Sequence, residues 1–281
     1  MFRERHISAQ DGLQLYWRDY GSTLSPRLPV LCLSGLTRNS RDFTELAERL
    51  SLTRRVLCPD YRGRGFSARD PNWRNYEART YLNDVLHVLT AADVPRAVVI
   101  GTSLGGLLAM ALAVLRPTSV AAIVLNDIGP EITPGGLERI LAYIGTNRPQ
   151  PDWDTAVAYL RHAMPHLALP TETAWRRLAR GTYREGADGL LHFDWDTALV
   201  KPLLRGRGYV QDLWPLFHAV RTIPALAFRG ERSDVLSAEA FERMGEAKPD
   251  MIRVTVPGAA HAPALDDPVC ERSLDEFLGR F

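Results

Sequence analysis

The amino-acid sequence predicts an α/β protein with a mostly parallel, eight-stranded sheet, helices on both faces and an inserted helical segment. Short apolar segments alternate with amphipathic helical patterns through residues 30–125, and the alternation resumes at Pro224. Strands that are apolar along their whole length are typical of parallel sheets buried on both faces. A chain of 281 residues is also long enough for one large α/β domain with an insertion.

Two kinds of pattern define the predicted elements. Residues 3–8 and 13–18 flank Asp11-Gly12, a hairpin turn signal, and Leu13, Leu15 and Trp17 alternate with polar neighbours. Buried strands are predicted at 30–33, 56–58, 97–100, 120–125, 225–228 and 252–256. Apolar residues at helical spacing predict helices from about 41, at 77–92, around 238–244 and from 268, and a long apolar segment predicts a buried helix at 107–115.

The pattern changes in the middle of the chain. Residues 130–218 contain no clear buried strand, and helices are predicted at 135–145, 153–163, 171–184 and 211–218. We therefore predict a core of residues 1–129 and 219–281, with residues 130–218 inserted as a helical cap over the strand ends. Six aromatic residues concentrate in this segment, and we expect most of them to pack within it and some to line a substrate pocket: Trp153, Tyr159, Trp175, Trp195, Trp214 and Phe217.

Composition excludes several function classes. The net charge of +1 gives no reason to expect nucleic acid or an anionic membrane as a partner. No apolar run reaches the roughly 18 residues of a membrane span, and the first residues lack a signal-peptide pattern, so we predict a cytoplasmic protein. The three cysteines suggest no disulfide framework or zinc cluster. His162 and His166 are separated by Pro165, which disrupts helical register, so no metal site is predicted there.

The segment 98–106 carries the strongest chemical signal. A β-branched run ends in Gly101-Thr102-Ser103-Leu104-Gly105, and a long apolar helical segment follows. A Gly-x-Ser-x-Gly pentapeptide alone is weak evidence, but a buried strand before it and a helix after it are the context of a nucleophilic serine. Gly101 and Gly105 are predicted to be required because a side chain at either position would collide with the neighbouring strand or helix.

A serine nucleophile needs partners. A base must accept the serine proton, and a carboxylate must orient that base. His261 follows the last predicted strand among small residues and is the candidate base. Asp234 and Asp127 each follow a predicted strand end, and either could supply the carboxylate. Parallel strands end at a common sheet edge, where ligands bind in such folds.

Together these motifs resemble the α/β-hydrolase fold. The resemblance covers nearly the whole chain and includes Ser34-Gly35, the Asp60–Ser67 loop, Ser103, Gly230 with Asp234, and His261. The resemblance implies the family order of nucleophile, acid and histidine as Ser103, Asp234 and His261, with Asp234 the favoured acid, although some relatives place the acid at the position of Asp127. The loop residues Asp60 and Arg62 are expected to organise their turn rather than to take part in chemistry.

The resemblance also implies an oxyanion hole. Its backbone N–H donors would come from Leu104 and, by position, from Leu36. Many relatives have His-Gly where this chain has Ser34-Gly35, but backbone donors do not depend on that side chain. No metal ion or organic cofactor is implied.

These observations predict a serine hydrolase that cleaves a small ester or lactone through an acyl-enzyme. Two alternatives remain open at this point: a hydrolase of carbon–carbon bonds in ring-cleavage products, and a non-catalytic small-molecule receptor on the same fold. In each case the expected partner is a small molecule. The sequence contains no signal for the oligomeric state.

Overall fold

The computed structural model describes residues 1–167, 169, 171–205 and 212–281. Its ten strands are β1 (Phe2–Ser8), β2 (Gln14–Tyr20), β3 (Val30–Leu33), β4 (Val56–Asp60), β5 (Ala97–Thr102), β6 (Val120–Asn126), β7 (Tyr183–Glu185), β8 (Leu191–Phe193), β9 (Ala225–Gly230) and β10 (Ile252–Val256). Eight of them form one sheet in the order β1-β2-β4-β3-β5-β6-β9-β10. The strands β3, β4, β5, β6, β9 and β10 run parallel, while β2 is antiparallel to both β1 and β4. The predicted eight-stranded sheet is therefore confirmed.

Ten α-helices accompany the strands. They are α1 (Thr44–Leu50), α2 (Ala78–Ala91), α3 (Leu104–Leu115), α4 (Pro134–Ile144), α5 (Trp153–Ala163), α6 (Glu172–Thr182), α7 (Val200–Arg205), α8 (Trp214–Ala219), α9 (Ala238–Ala247) and α10 (Pro268–Leu278) within the described part of the chain. The last helix begins where the sequence predicts it, with Asp267 as N-cap and Pro268 in the first turn.

The two faces of the sheet bury separate apolar clusters. Along β3, Leu31 and Leu33 belong to the cluster that contains α2, α3 and α9, whereas Val30 and Cys32 belong to the cluster that contains α1 and α10. Side chains along a strand point alternately to opposite faces, so a strand buried on both faces must be apolar throughout. This explains the uninterrupted apolar runs in the sequence.

The segment between β6 and β9 is more varied than predicted. Helices α4, α5 and α6 lie close to their expected positions, and α8 starts at Trp214, while residue 211 lies outside the described residues. The prediction of no strand was wrong, because β7 and β8 pair as a short antiparallel hairpin and end α6 at Thr182. Helix α7 was missed because Pro202 suggested a break, although proline is tolerated in the first turn of a helix.

The Asp60–Ser67 loop is organised as expected. The Asp60 carboxylate accepts hydrogen bonds from the backbone N–H groups of Ser40 (2.6 Å) and Phe66 (2.8 Å). The buried Arg62 guanidinium forms ion pairs of 2.6–2.7 Å with three carboxylates, those of Asp11, Asp70 and Asp84. The Asp60 carboxylate and the Arg62 guanidinium therefore both have polar partners, as buried charges require.

Helix α3 lies unusually close to the sheet. A Cβ atom added at Gly101 would overlap the backbone of Gly105, and one added at Gly105 would overlap the carbonyl of Leu33. Both clashes involve backbone atoms, which cannot move aside as a flexible side chain can. The predicted need for glycine at these positions is therefore confirmed.

We expect Gly105→Ala to destabilise the protein by at least about 2 kcal/mol, since overpacking against backbone forces a main-chain shift. Gly135→Ala is the matched control, because Gly135 also lies near the start of a helix and a Cβ there meets nothing within 4 Å. The control should be neutral or slightly stabilising. Thermal unfolding of the two variants tests this, and equal stabilities would contradict the steric argument.

Candidate active site

Ser103 lies at the turn between β5 and α3. Its backbone angles are φ 53° and ψ −116°, a conformation that a non-glycine residue adopts only when the surroundings impose it. The Ser103 N–H donates to the carbonyl of Asn126 on the neighbouring strand (3.0 Å). This geometry holds the serine at the tip of the turn, at the N-terminus of α3, where the helix dipole favours negative charge.

His261 contacts the serine directly. Its Nε2 atom lies 3.1 Å from Ser103 Oγ, and its Nδ1 atom lies 2.7 Å from Asp127 Oδ2. The imidazole follows β10, as the sequence predicts, and its side chain is 11% exposed. A histidine held between a carboxylate and a serine hydroxyl can accept the serine proton.

The carboxylate beside His261 belongs to Asp127. It directly follows β6 with a positive φ of 57°, and its side chain is fully buried. Besides His261, its oxygens accept hydrogen bonds from the Gly230 N–H (2.8 Å) and the Ser233 hydroxyl (2.6 Å). Three donors stabilise the charge of a carboxylate that would otherwise be costly to bury.

Asp234 does not lie beside His261, so its assignment as the partner of the histidine was wrong. Its carboxylate forms a two-bond ion pair with Arg139 of α4, at 2.7 and 2.9 Å. Burial opposes ionisation, but the hydrogen bonds and charge of Arg139 together outweigh it and hold the pKa of Asp234 below its usual value. The loop after β9 carries Asp234 four residues beyond the strand, toward the inserted helices rather than toward His261.

One signal in the sequence favours Asp127. It is the first residue after a seven-residue buried strand that neighbours β5, so its distance from Ser103 is set by strand pairing alone. Arg139, which pairs with Asp234, lies 95 residues from it in the sequence, and no local sequence pattern reveals such a pair.

The two residues predicted to supply backbone donors, Leu36 and Leu104, both lie near Ser103. Leu36 lines the same cavity as Ser103, and a Cβ on the adjacent Gly35 would stand 3.8 Å from Ser103 Cβ. Leu104 begins α3 immediately after the serine. Among the described residues, neither the Leu36 N–H nor the Leu104 N–H has a hydrogen-bond partner.

Ser103 and His261 open onto a cavity of about 1090 Å³ between the strand ends and the inserted segment. Its lining combines apolar side chains with several arginines; the apolar members include Leu36, Ile140, Tyr143, Met164, Leu167, Leu178 and Leu265. Six aromatic residues of the inserted segment were expected either to line a pocket or to pack within the segment, and of these only Tyr159 lines this cavity. Trp195, for example, stacks on Phe193 with ring centroids 4.1 Å apart.

No metal centre is evident in the described part of the chain, where no three His, Cys, Asp or Glu side chains gather as ligands. His162 and His166 both line the cavity. Burial, followed by the charge of Arg139, lowers the pKa of His166. None of the described helices combines the length and apolarity needed to cross a membrane.

Two of the curated proteins similar to this chain are hydrolases. The chain is 33% identical over 264 residues to a 3-hydroxybutyrate-oligomer hydrolase from Cupriavidus necator, covering 91% of this chain and 89% of that protein. It is 31% identical over 233 residues to a 2-(acetamidomethylene)succinate hydrolase from Mesorhizobium japonicum, covering 83% and 81%.

A crystal structure of an alpha/beta hydrolase from Novosphingobium aromaticivorans is similar over 100% of this chain and 99% of that one, with 41% identity and a TM-score of 0.94. The family model for the alpha/beta hydrolase fold matches residues 29–268. Fold, relatives and sequence model agree that the chain belongs to the alpha/beta hydrolase family and is a hydrolase.

Proposed function

We propose that this hydrolase cleaves carboxylic esters through an acyl-enzyme, with Ser103 as nucleophile. The observation that carries the proposal is the hydrogen-bonded series from Ser103 through His261 to Asp127, which opens onto the large cavity. A serine hydroxyl is a weak nucleophile alone, and a histidine 3.1 Å away supplies the base that it needs.

The reaction follows from this geometry. As Ser103 Oγ attacks the ester carbonyl carbon, His261 Nε2 takes its proton, and the carbonyl oxygen gains a negative charge. His261 then gives the proton to the departing alcohol oxygen, which leaves the acyl group on Ser103. Water attacks this second ester as His261 takes its proton, and His261 then returns the proton to Ser103 Oγ as the carboxylic acid leaves.

Asp127 is the proposed acid of the triad in place of Asp234. Its carboxylate holds the N–H of His261 Nδ1, which leaves Nε2 free to accept the serine proton, and it stabilises the imidazolium that forms. The N–H groups of Leu36 and Leu104 are the proposed donors to the oxyanion. Each such donor typically contributes about 3 kcal/mol to transition-state stabilisation.

The size and lining of the cavity favour one class of ester substrate. Its volume of about 1090 Å³ exceeds the need of a short ester, and its lining is largely apolar. The arginines Arg148 and Arg180 also line it, each over an aromatic ring and without an ion-pair partner in the described residues. We propose a chain-like ester with an anionic end, such as the 3-hydroxybutyrate oligomers named for the Cupriavidus relative.

A fluorophosphonate should label the purified protein once, on the peptide that contains Ser103, and the protein should release p-nitrophenol from p-nitrophenyl butyrate. Ser103→Ala should abolish labelling and reduce turnover by at least about a thousandfold while the protein stays folded. Peptide mass spectrometry and circular dichroism give these readouts. A folded wild-type protein that takes no label would refute the nucleophile assignment and favour the receptor alternative.

Two aspartate variants distinguish the candidate acids. Asp127→Asn should lower kcat by about 10³–10⁴-fold, because the amide favours the wrong histidine tautomer. Asp234→Asn removes a charge from the Arg139 pair but no contact to His261, so kcat should change less than about tenfold. Ester turnover by the two variants is the comparison, and a crippled Asp234→Asn beside an active Asp127→Asn would reverse the assignment.

The substrate class predicts a chain-length effect. The value of kcat/KM should rise from methyl 3-hydroxybutyrate to the linear dimer and trimer of 3-hydroxybutyrate, since each added unit fills more of the cavity. Chromatographic quantification of released 3-hydroxybutyrate provides the measurement. Turnover of p-nitrophenyl butyrate without any cleavage of the oligomers would reject this substrate class while retaining the serine hydrolase.

A further inference from the structure

The loop that carries the proposed oxyanion donor is held by its carbonyl groups. We define the oxyanion loop as Ser34-Gly35-Leu36. The Ser34 carbonyl accepts a hydrogen bond from Tyr61 Oη (3.2 Å), and the Leu36 carbonyl accepts one from Arg64 Nε (2.8 Å). The Gly35 carbonyl between them accepts the Arg38 N–H (3.1 Å).

These contacts restrict the Leu36 N–H. The peptide that contains it lies between two peptides whose oxygens are bound by buried side chains, so its rotation would break hydrogen bonds on either side. Among the described residues the Leu36 N–H itself has no partner. An oxyanion donor is effective when its direction is set before the reaction, and these contacts set it.

Arg64 differs from the other buried arginine of its loop. It is 1% exposed, and its remaining contacts are neutral: Nη1 donates to the Arg62 carbonyl (2.9 Å) and the Tyr81 hydroxyl (2.8 Å). In the part of the chain that the structure describes, no carboxylate pairs with Arg64, whereas Arg62 has three. Burying a guanidinium without a counterion is costly, so its charge is a poor contribution to stability.

The position of Arg64 is fixed from both sides. The Gly65 N–H donates to the Asp194 carbonyl (3.0 Å), and the Asp196 N–H donates to the Gly63 carbonyl (2.7 Å). Backbone of the inserted segment therefore holds the residues that flank Arg64. The guanidinium also lies 4.6 Å from the centre of the Tyr81 ring, which restricts it further.

Resting on the proposed function, we propose that Arg64 and Tyr61 are positioning residues of the oxyanion loop. They act through the carbonyls of Leu36 and Ser34 and orient the Leu36 N–H toward the oxygen that gains charge. The positive charge of Arg64 behind the loop also favours that negative charge. Neither side chain lines the cavity that contains Ser103, so their expected effect is on the transition state and not on ground-state binding.

The test compares three variants on p-nitrophenyl butyrate. Arg64→Gln should lower kcat by about 10–100-fold with KM changed less than about threefold, and Tyr61→Phe should lower kcat about 3–10-fold. Tyr16→Phe is the matched control: Tyr16 is 1% exposed, as Tyr61 is, but its hydroxyl donates to Glu4 (3.0 Å) and not to the oxyanion loop, so kcat should stay unchanged.

A transition-state mimic separates positioning from general damage. A trifluoromethyl ketone, which forms a charged adduct with the serine, should lose affinity for Arg64→Gln in proportion to kcat/KM, while butyrate binds unchanged. If Arg64→Gln does not fold, Tyr61→Phe and its control decide the matter. Folded variants with wild-type kcat overturn this proposal alone, whereas a wild-type protein without labelling or turnover overturns the serine hydrolase and this proposal together.

Discussion

The close approach of helix α3 to the sheet is the constraint on which the site depends. Gly101 and Gly105 allow backbone to contact backbone, and this contact forces Ser103 into its strained turn. A larger distance between α3 and the sheet would let the turn relax and would move Ser103 away from His261. The helix N-terminus and one proposed oxyanion donor, Leu104, are placed by the same contact, so the proposed nucleophile and the proposed anion site are positioned together.

The alternating strands and helices of the main sheet were predictable from the sequence. Short apolar segments and a hairpin turn signal marked the eight strands of the sheet, and helical spacing of apolar residues marked the flanking helices, so both lie near their expected positions. The β7–β8 hairpin escaped prediction because three-residue strands carry too little periodicity to distinguish from a loop.

The candidate site was predictable to the extent that strand ends determine it. Ser103, His261 and the two candidate aspartates all follow predicted strands, and the sequence alone brings them to one edge. The sequence could not decide between Asp127 and Asp234, because the decision depends on which carboxylate pairs with a residue other than His261. Arg139 lies on an inserted helix and pairs with Asp234, and such a long-range ion pair has no signature in the local sequence.

The hydrogen bonds to Asp127 have a consequence for how the chain acquires activity during synthesis. All three of its donors, Gly230, Ser233 and His261, are more than a hundred residues later in the chain, and His261 follows Ser103 by 158 residues. A nascent chain that has emerged only through Asp127 carries the serine and the aspartate but not the histidine proposed as base. On the proposed mechanism, the ribosome-bound protein therefore lacks its base until the inserted segment has been translated and β9 and β10 have joined the sheet, so the proposed activity would mark completed assembly.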